Sequence, residues 1–361
     1  MPTQTKTKIS PARVARLTSR FRGRRIGVVG DWMLDRYVWG TASRLSPEAA
    51  VPVVEFTKQT ECLGGAGNVA ANLAALGARV AAFGVVGSDE AGNALRGAMR
   101  ALKLPAEGMI SDDERRTTLK TRIIARQQQV VRVDRESRFP LDATAEWKLA
   151  RKILKAIPQL DALIVSDYDK GVVTGGLIDP ILAECVRKHV PVFVKPKWSR
   201  LPTYRGATVI VCNRAEAGFL VTRSLEDDES VAEAGGALLQ HFGCRAVVIT
   251  RGERGMSVCE KDAPRAFNIA ATRRERPIGQ HGERNADRGR EVYDVTGAGD
   301  TVLATLALAV AAGASVREGA ILGNAAAGVV VTKLGTATLS TAELLTALRG
   351  SNDSPQRGRT A

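Results

Sequence analysis

The segment Val295-Thr296-Gly297-Ala298-Gly299-Asp300-Thr301 sets two glycines around an alanine and follows them at once with a carboxylate. The small-residue apolar run behind it, Val302 to Ala312, reads as a buried helix. Gly297, Ala298 and Gly299 then stand at that helix's N-terminus, where unpaired N–H groups and the positive dipole end can hold an anion. Asp300 falls in the first turn, beside whatever anion binds. A carboxylate in that position suits a base that takes the proton from a hydroxyl attacking a phosphoryl group. An ordinary loop-to-helix turn can use the same residue types, so the reading depends on the company these residues keep.

That company is polar and follows apolar segments. Asp31 directly follows a strand-like run, with Asp35 four residues on. Gly64-Gly65-Ala66-Gly67-Asn68 opens a helix, and Ser166-Asp167-Tyr168-Asp169-Lys170-Gly171 follows a buried strand. Thr250-Arg251-Gly252 follows another. Acids and amides around glycine turns suit a polyhydroxylated ligand, whose hydroxyls each need a donor and an acceptor. In Asn213-Arg214-Ala215-Glu216 an amide and a carboxylate stand three apart, on one side of a helical turn. Such oxygens can hold Mg²⁺, directly or through its waters. N-x-x-E is equally a helix-capping pattern, and both readings stand at this point.

The elements that would position these residues alternate. Strands are expected at 25–29, 51–58, 79–84, 160–166, 191–194, 208–212, 246–250 and 255–260. Helices are expected at 68–76, 89–102, 146–157, 174–188, 231–242, 302–312, 316–333 and 341–348. This pattern predicts an α/β fold, a mostly parallel sheet with helices on both faces, with ligands beyond the carboxyl ends of its strands. Polar alternating strands near 36–58 and 117–134 do not suit that sheet and predict a small β lid beside it.

Composition excludes other classes. No stretch of about 18 uninterrupted apolar residues occurs, so no transmembrane span is expected. Five scattered cysteines, odd in number and never in C-x-x-C spacing, argue against a disulfide or zinc framework and for a cytoplasmic protein. Of the net charge of +14, thirteen charges sit in residues 1–25, 272–290 and 349–361. The body is near neutral, so nucleic-acid and membrane partners are not expected. Residues 1–23 read as a flexible basic arm, 24–348 as one domain, 272–290 as an Arg-rich surface insertion, and 349–361 as a flexible tail.

Asp294-Val295-Thr296-Gly297-Ala298-Gly299-Asp300-Thr301 resembles the signature of the PfkB (ribokinase-like) carbohydrate kinases. Gly64–Asn68 resembles their second signature, and Asn213/Glu216 their magnesium motif. The runs Gly30–Tyr37, Arg44–Ala49 and Val51–Val54 resemble the heptose-7-phosphate kinases of ADP-heptose synthesis, as do Ser166–Tyr168 and Lys170–Val172. The resemblance covers roughly residues 24–348. It implies a ribokinase-like fold and ATP-dependent phosphorylation of the anomeric hydroxyl of D-glycero-β-D-manno-heptose 7-phosphate, for the lipopolysaccharide core.

By the same resemblance Asp300 is the base and Gly297, Ala298 and Gly299 the anion hole. Asn213, Arg214, Ala215 and Glu216 act on Mg-ATP, Thr250, Arg251, Gly252 and Gly255 on the nucleotide phosphates, and Asn324, Lys333, Gly335 and Thr336 flank the adenine. Asp31, Asp35, Gly64, Gly65 and Asn68 hold the sugar. Arg122, Arg132, Lys170 and Lys197 are candidates for its 7-phosphate.

Three departures stand out. Where the family writes Asp-Pro-Lys, this chain has Lys195-Pro196-Lys197, a base for an acid beside the expected site. That leaves open a sugar-binding protein without turnover, as well as a kinase of another sugar. The Arg-rich insertion is not a family feature. No nucleotidyltransferase domain is expected after Leu348, so a separate protein would perform that step. Open lid edges predict a homodimer paired through the lid.

Overall fold

The computed structural model describes residues 9–125, 128–197, 204–272, 296–333 and 335–353. The chain begins with α1 (Pro11–Ser19), β1 (Arg25–Gly30), β2 (Trp32–Leu45), β3 (Pro52–Gly65), α2 (Ala66–Ala75), β4 (Arg79–Gly87) and α3 (Glu90–Ala101). There follow β5 (Met109–Asp112), β6 (Thr118–Ala125), β7 (Gln128–Arg135), α4 (Ala143–Ala156), β8 (Ala162–Ser166), α5 (Gly175–Arg187), β9 (Val192–Lys195) and β10 (Val209–Asn213). The remainder is α6 (Arg214–Leu220), α7 (Asp228–Phe242), β11 (Ala246–Thr250), β12 (Met256–Glu260), β13 (Phe267–Ile269), α8 (Ala298–Ala311), α9 (Val316–Val330) and α10 (Thr341–Asp353).

The apolar runs form one nine-stranded sheet, ordered β13-β12-β11-β10-β9-β8-β1-β4-β5. Neighbours from β11 through β5 run parallel, and β12 and β13 are antiparallel additions at one edge. Burial of both faces explains why these strands are apolar throughout rather than alternating. On one face Leu73, Leu95, Leu306 and Leu322 pack with the strands; on the other Leu149, Ile181 and Leu238 do. The order turns around β1: the chain goes out through β4 and β5, then returns to β8 and beyond. Ligands of open α/β sheets bind at such a point, past the carboxyl ends of the strands.

The expected lid is present as a second sheet, β3-β2-β6-β7. It is rooted in the large sheet, because β2 leaves β1 after only Asp31 and β3 runs directly into α2.

Three boundaries differ from the sequence reading. Residues 11–22 are not a free arm: Leu17 and Phe21 are fully buried, and Arg13 pairs with Glu318 at 2.8 Å. The basic residues hid an apolar stripe at positions 14, 17 and 21, a helical spacing. Residues 349–353 continue α10 instead of starting a tail. Helix α8 begins at Ala298, because glycine and Asp300 occupy its first turn ahead of the apolar run. The Arg-rich segment, Thr272 apart, lies outside the described residues.

Candidate active site

Asp300 stands at the carboxyl end of the sheet, in the first turn of α8, and is 2% exposed. Its N-cap, Gly297, has φ +84°, and a Cβ there would lie 2.5 Å from Asn68 Nδ2. Only glycine lets the chain turn into the helix and still admit that amide. Asn68 Nδ2 donates to Asp300 Oδ2 at 3.1 Å, and Asn72 Nδ2 donates to Asn68 Oδ1 at 3.1 Å, which fixes how the Asn68 amide faces. Oδ1 of Asp300 accepts from the Tyr168 hydroxyl at 2.5 Å and from Lys195 Nζ at 2.8 Å. A carboxylate has about four acceptor positions. Among the described residues three are used, and the open one is on Oδ2.

The amides of Gly297, Ala298 and Gly299 have no hydrogen-bond partner among the described residues, whereas those of Asp300 and Thr301 bond to Gly297 O at 3.0 Å. Unpaired amides at the head of a 14-residue helix form an anion cradle. The cradle opens on a cleft of about 470 Å³, lined also by Lys195, Asn213, Glu216, Thr250, Arg251 and Gly252. Strands β9, β10 and β11 each end there, so sheet register alone gathers these residues.

On the lid side, Arg122 Nη1 donates to Asp35 Oδ1 at 2.6 Å, both groups being buried. Burial raises the Asp35 pKa, and Arg122 opposes the shift. A Cβ on Gly64 would fall 2.3 Å from Asp35 Oδ2, so the glycine makes room for the carboxylate. Burial also pushes the Tyr168 hydroxyl well up from its ordinary range, and the Asp300 charge adds to the shift.

The geometry joins a carboxylate with an open lone pair, a helix-end anion cradle and a polar lid. A model of the pfkB family of carbohydrate kinases matches residues 24–343. The chain belongs to the pfkB family of carbohydrate kinases. It is 43% identical over 321 residues to the bifunctional protein HldE of Geobacter sulfurreducens, covering 89% of this chain and 62% of that protein. With the HldE of Desulfatibacillum aliphaticivorans the identity is 42% over 326 residues, covering 90% and 63%. The chain thus spans less than two thirds of these relatives. In fold it is similar to Arabidopsis thaliana ribokinase complexed with ribose and ATP, with TM-score 0.68 and 17% identity over 91% of this chain and 99% of that one. Phosphofructokinase-2 from Escherichia coli, in complex with substrates and products, gives TM-score 0.71 and 18% identity over 91% and 99%. The pfkB fold is therefore ribokinase-like, as its sequence signatures imply.

Placed on this kinase fold, the residues assigned from sequence divide. Asp300, Gly297, Ala298, Gly299 and Asn68 come together, and Asn213, Arg214, Ala215, Glu216, Thr250 and Gly252 line the cleft. Gly255 lies outside that lining and shapes the turn between β11 and β12, its N–H bonded to Gly252 O at 2.9 Å.

Other assigned residues hold partners within the chain. Asp31 was assigned to sugar hydroxyls, yet its buried carboxylate accepts from the backbone N–H groups of Tyr168 at 2.7 Å and of Lys170 and Val172 at 3.2 Å. It anchors the loop that carries Tyr168, and burial with the neighbouring Asp167 charge raises its pKa. Gly65, at φ +56°, caps α2 with its Cβ position 2.4 Å from Asp31 O. Lys333 turns to α10, donating to Thr338 O and pairing with Glu343, both at 2.7 Å. Asn324 holds Ala270 O at 2.8 Å. Gly335 lies against the Tyr37 ring and Thr336 against Cys62, both on the lid side.

Each of the four phosphate candidates holds a carboxylate. Arg122 holds Asp35, Lys170 holds Glu136 at 2.9 Å, Lys197 holds Glu216, and the exposed Arg132 holds Asp134 at 2.9 Å. Sequence reasoning gave Tyr168 no role and met Lys195 only as a misplaced charge. The signals for Tyr168 were its place just after a buried strand and within the Ser166–Tyr168 motif.

Proposed function

We infer that this kinase uses ATP to phosphorylate the anomeric hydroxyl of D-glycero-β-D-manno-heptose 7-phosphate, giving the 1,7-bisphosphate. The observation that carries the phosphotransfer is the open lone pair of Asp300 beside unpaired helix-end amides. The sugar is supported by the motifs at 30–37, 44–54 and 166–172 and by relatives named HldE. The hydroxyl donates to Asp300 Oδ2, and its oxygen attacks the γ-phosphorus as the bond to the β-phosphate oxygen breaks. The proton passes to Asp300, and the cradle amides bear the charge on the transferred group. An anomeric hydroxyl is more acidic than an ordinary alcohol, which suits a carboxylate base.

Asn213 and Glu216 form a reciprocal capping box, Glu216 N to Asn213 Oδ1 at 2.7 Å and Asn213 N to Glu216 Oε2 at 2.9 Å. No group of three or more His, Cys, Asp or Glu poised for a metal occurs among the described residues. One buried carboxylate facing a phosphate cleft fits Mg²⁺ that arrives on the nucleotide and keeps its waters. Glu216 and Asn213 would hold it through those waters, and when bound it neutralises phosphate charge.

The test is a panel of phosphorylated sugars with Mg-ATP, read as sugar-dependent ADP release and by phosphorus NMR of the product. Heptose 7-phosphate is expected to give an anomeric phosphate with the highest kcat/KM; a preference for a fructose phosphate or ribose would replace it as substrate. A second reading, sugar binding without turnover, is favoured by the Lys195–Asp300 ion pair alone. Sugar binding with no ADP release from any sugar would establish it.

A further inference from the structure

We propose that Lys195 is a catalytic residue of phosphoryl transfer, its ammonium passing from Asp300 in the unliganded enzyme to the γ-phosphoryl group in the complex. The proposal rests on the kinase reading above and concerns a position where the sequence pattern of relatives leads one to expect an acid.

Lys195 is the last residue of β9, and Pro196 follows it. Its Nζ donates to Asp300 Oδ1 and to the Tyr168 hydroxyl, each at 2.8 Å, and lies 4.6 Å from the centre of the Tyr168 ring. The same atom lies 3.4 Å from the position a Cβ on Gly299 would take. One ammonium therefore touches the base and overhangs the third residue of the anion cradle. Lys195 also lines the phosphate cleft, and its side chain is 15% exposed, reachable from that cleft. Of the other cations at the cleft, Lys197 pairs with Glu216 and Arg251 with Asp228, and Arg214 lines it from the α6 side.

An ammonium that stayed on Oδ1 would neutralise the carboxylate that must accept a proton. A γ-phosphoryl group seated on the Gly297–Gly299 amides brings a larger negative charge within reach of the same Nζ. The transfer needs no backbone movement, only rotation of a flexible four-carbon stem. In the step itself the sugar oxygen bonds to the γ-phosphorus, the bond to the β-bridging oxygen breaks with its electron pair leaving on ADP, and the hydroxyl proton goes to Asp300. Lys195 keeps its proton throughout and neutralises charge on the moving group, as positioned cations do in other phosphoryl transfers.

Two measurements on the full chain test this. By titration calorimetry, the wild type is expected to bind the magnesium complex of a non-hydrolysable ATP analogue more tightly relative to Mg-ADP than Lys195→Met does, the ratio falling about 10-fold in the variant with Mg-ADP affinity unchanged. Lys195→Gln, polar and still able to fill the site, should give the same loss. In turnover with heptose 7-phosphate, kcat should fall about 10²–10³-fold in Lys195→Met with the sugar KM little changed. Lys195→Asp, the acid expected from relatives, should be slower still. An unchanged analogue-to-ADP ratio, or a Lys195→Asp enzyme faster than wild type, would overturn the proposal. The calorimetric ratio is independent of the sugar: if it falls with Lys195→Met while no sugar supports ADP release, the substrate reading fails and the nucleotide contact stands.

Discussion

Asn68 Nδ2 donates to Asp300 Oδ2 across 232 residues of sequence, and so ties the glycine-rich entry of α2 to the first turn of α8. Both side chains are buried, and Asn72 holds Asn68 from behind. Asn68 therefore fixes the carboxylate by one Oδ2 acceptor position and leaves the other open among the described residues. Asn68→Ala should lower kcat about 10-fold, with nucleotide affinity unchanged. Asn68→Asp sets two carboxylates against each other and should cost about 10²-fold or more. Steady-state rates, with calorimetric binding as control, check both; equal kcat in Asn68→Ala and wild type would remove Asn68 from the site.

Asp300→Asn keeps the shape and removes the proton acceptor. It should lower kcat by about 10²–10⁴-fold with nucleotide affinity little changed. Turnover near wild type would show that another group, or solvent, takes the proton.

The ionisations around Asp300 fix a pH dependence. Burial opposes charge on Lys195, but the Asp300 and Tyr168 interactions outweigh it and hold its pKa above the ordinary 10.5. Tyr168 is held above its ordinary 10.0. Both groups stay protonated through the alkaline range. For Lys195, with the folded value raised, the stabilising contribution is complete below 10.5 and is lost only as pH rises past the raised value. Saturated kcat is expected to stay level from about pH 8 to about pH 10. A descending limb near pH 9 that Tyr168→Phe abolishes would contradict the tyrosine's placement.

What the sequence carried, and what it hid, follows from range. Gly297 and Asp300 were legible because an anion cradle is local: glycine, helix start and acid are contiguous. The parallel sheet was legible because β1, β8 and β11 are apolar without alternation. Lys195 was legible only as a charge swap, since its partner lies 105 residues away. The partners of Asp31 were hidden for the same reason. An acid after a strand suits a sugar, and only the fold reveals that three N–H groups of the 168–172 segment have already engaged it. Arg132 was read as a cation for the 7-phosphate and Lys333 as a flank of the adenine, whereas the fold sets them against Asp134 and Glu343. Helix α1 was hidden because its apolar stripe at positions 14, 17 and 21 is written among arginines.

Helix α1 yields a stability prediction. Leu17 and Phe21 are fully buried, and Arg13 grips Glu318 bidentately, Nε at 2.8 Å and Nη2 at 2.9 Å. Leu17→Ala should destabilise the fold by about 2–4 kcal/mol. Arg13→Ala, at a partly exposed pair, should cost much less than Leu17→Ala. The Arg13 hydrogen bond pulls the Glu318 pKa down to about 2 from an ordinary 4.5. The stability tied to that shift is present above pH 4.5 and is lost as pH falls toward 2, so Arg13→Ala should flatten the acid side of the stability curve. Denaturant titrations across pH check this. Deletion through Gly23 should therefore lower Tm markedly; an unchanged Tm would return these residues to the status of a dispensable arm.

The lid supplies the last prediction. Strands β3 and β7 are its two edges, each paired on one side only among the described residues. Phe56 on β3 is 67% exposed, Val133 on β7 55%, and Leu45 beside the β2–β3 turn 65%. Open edges carrying exposed apolar side chains invite pairing with another sheet, and a second copy of the lid offers the same edges by symmetry. The homodimer proposed through the lid thus gains a specific test. The wild type should elute as a dimer in light-scattering chromatography, and Phe56→Glu with Val133→Lys should weaken self-association at least about 10-fold, since burying an unpaired charge costs more than one apolar contact supplies. A wild-type monomer at micromolar concentration, or a dimer indifferent to both changes, would place the interface elsewhere.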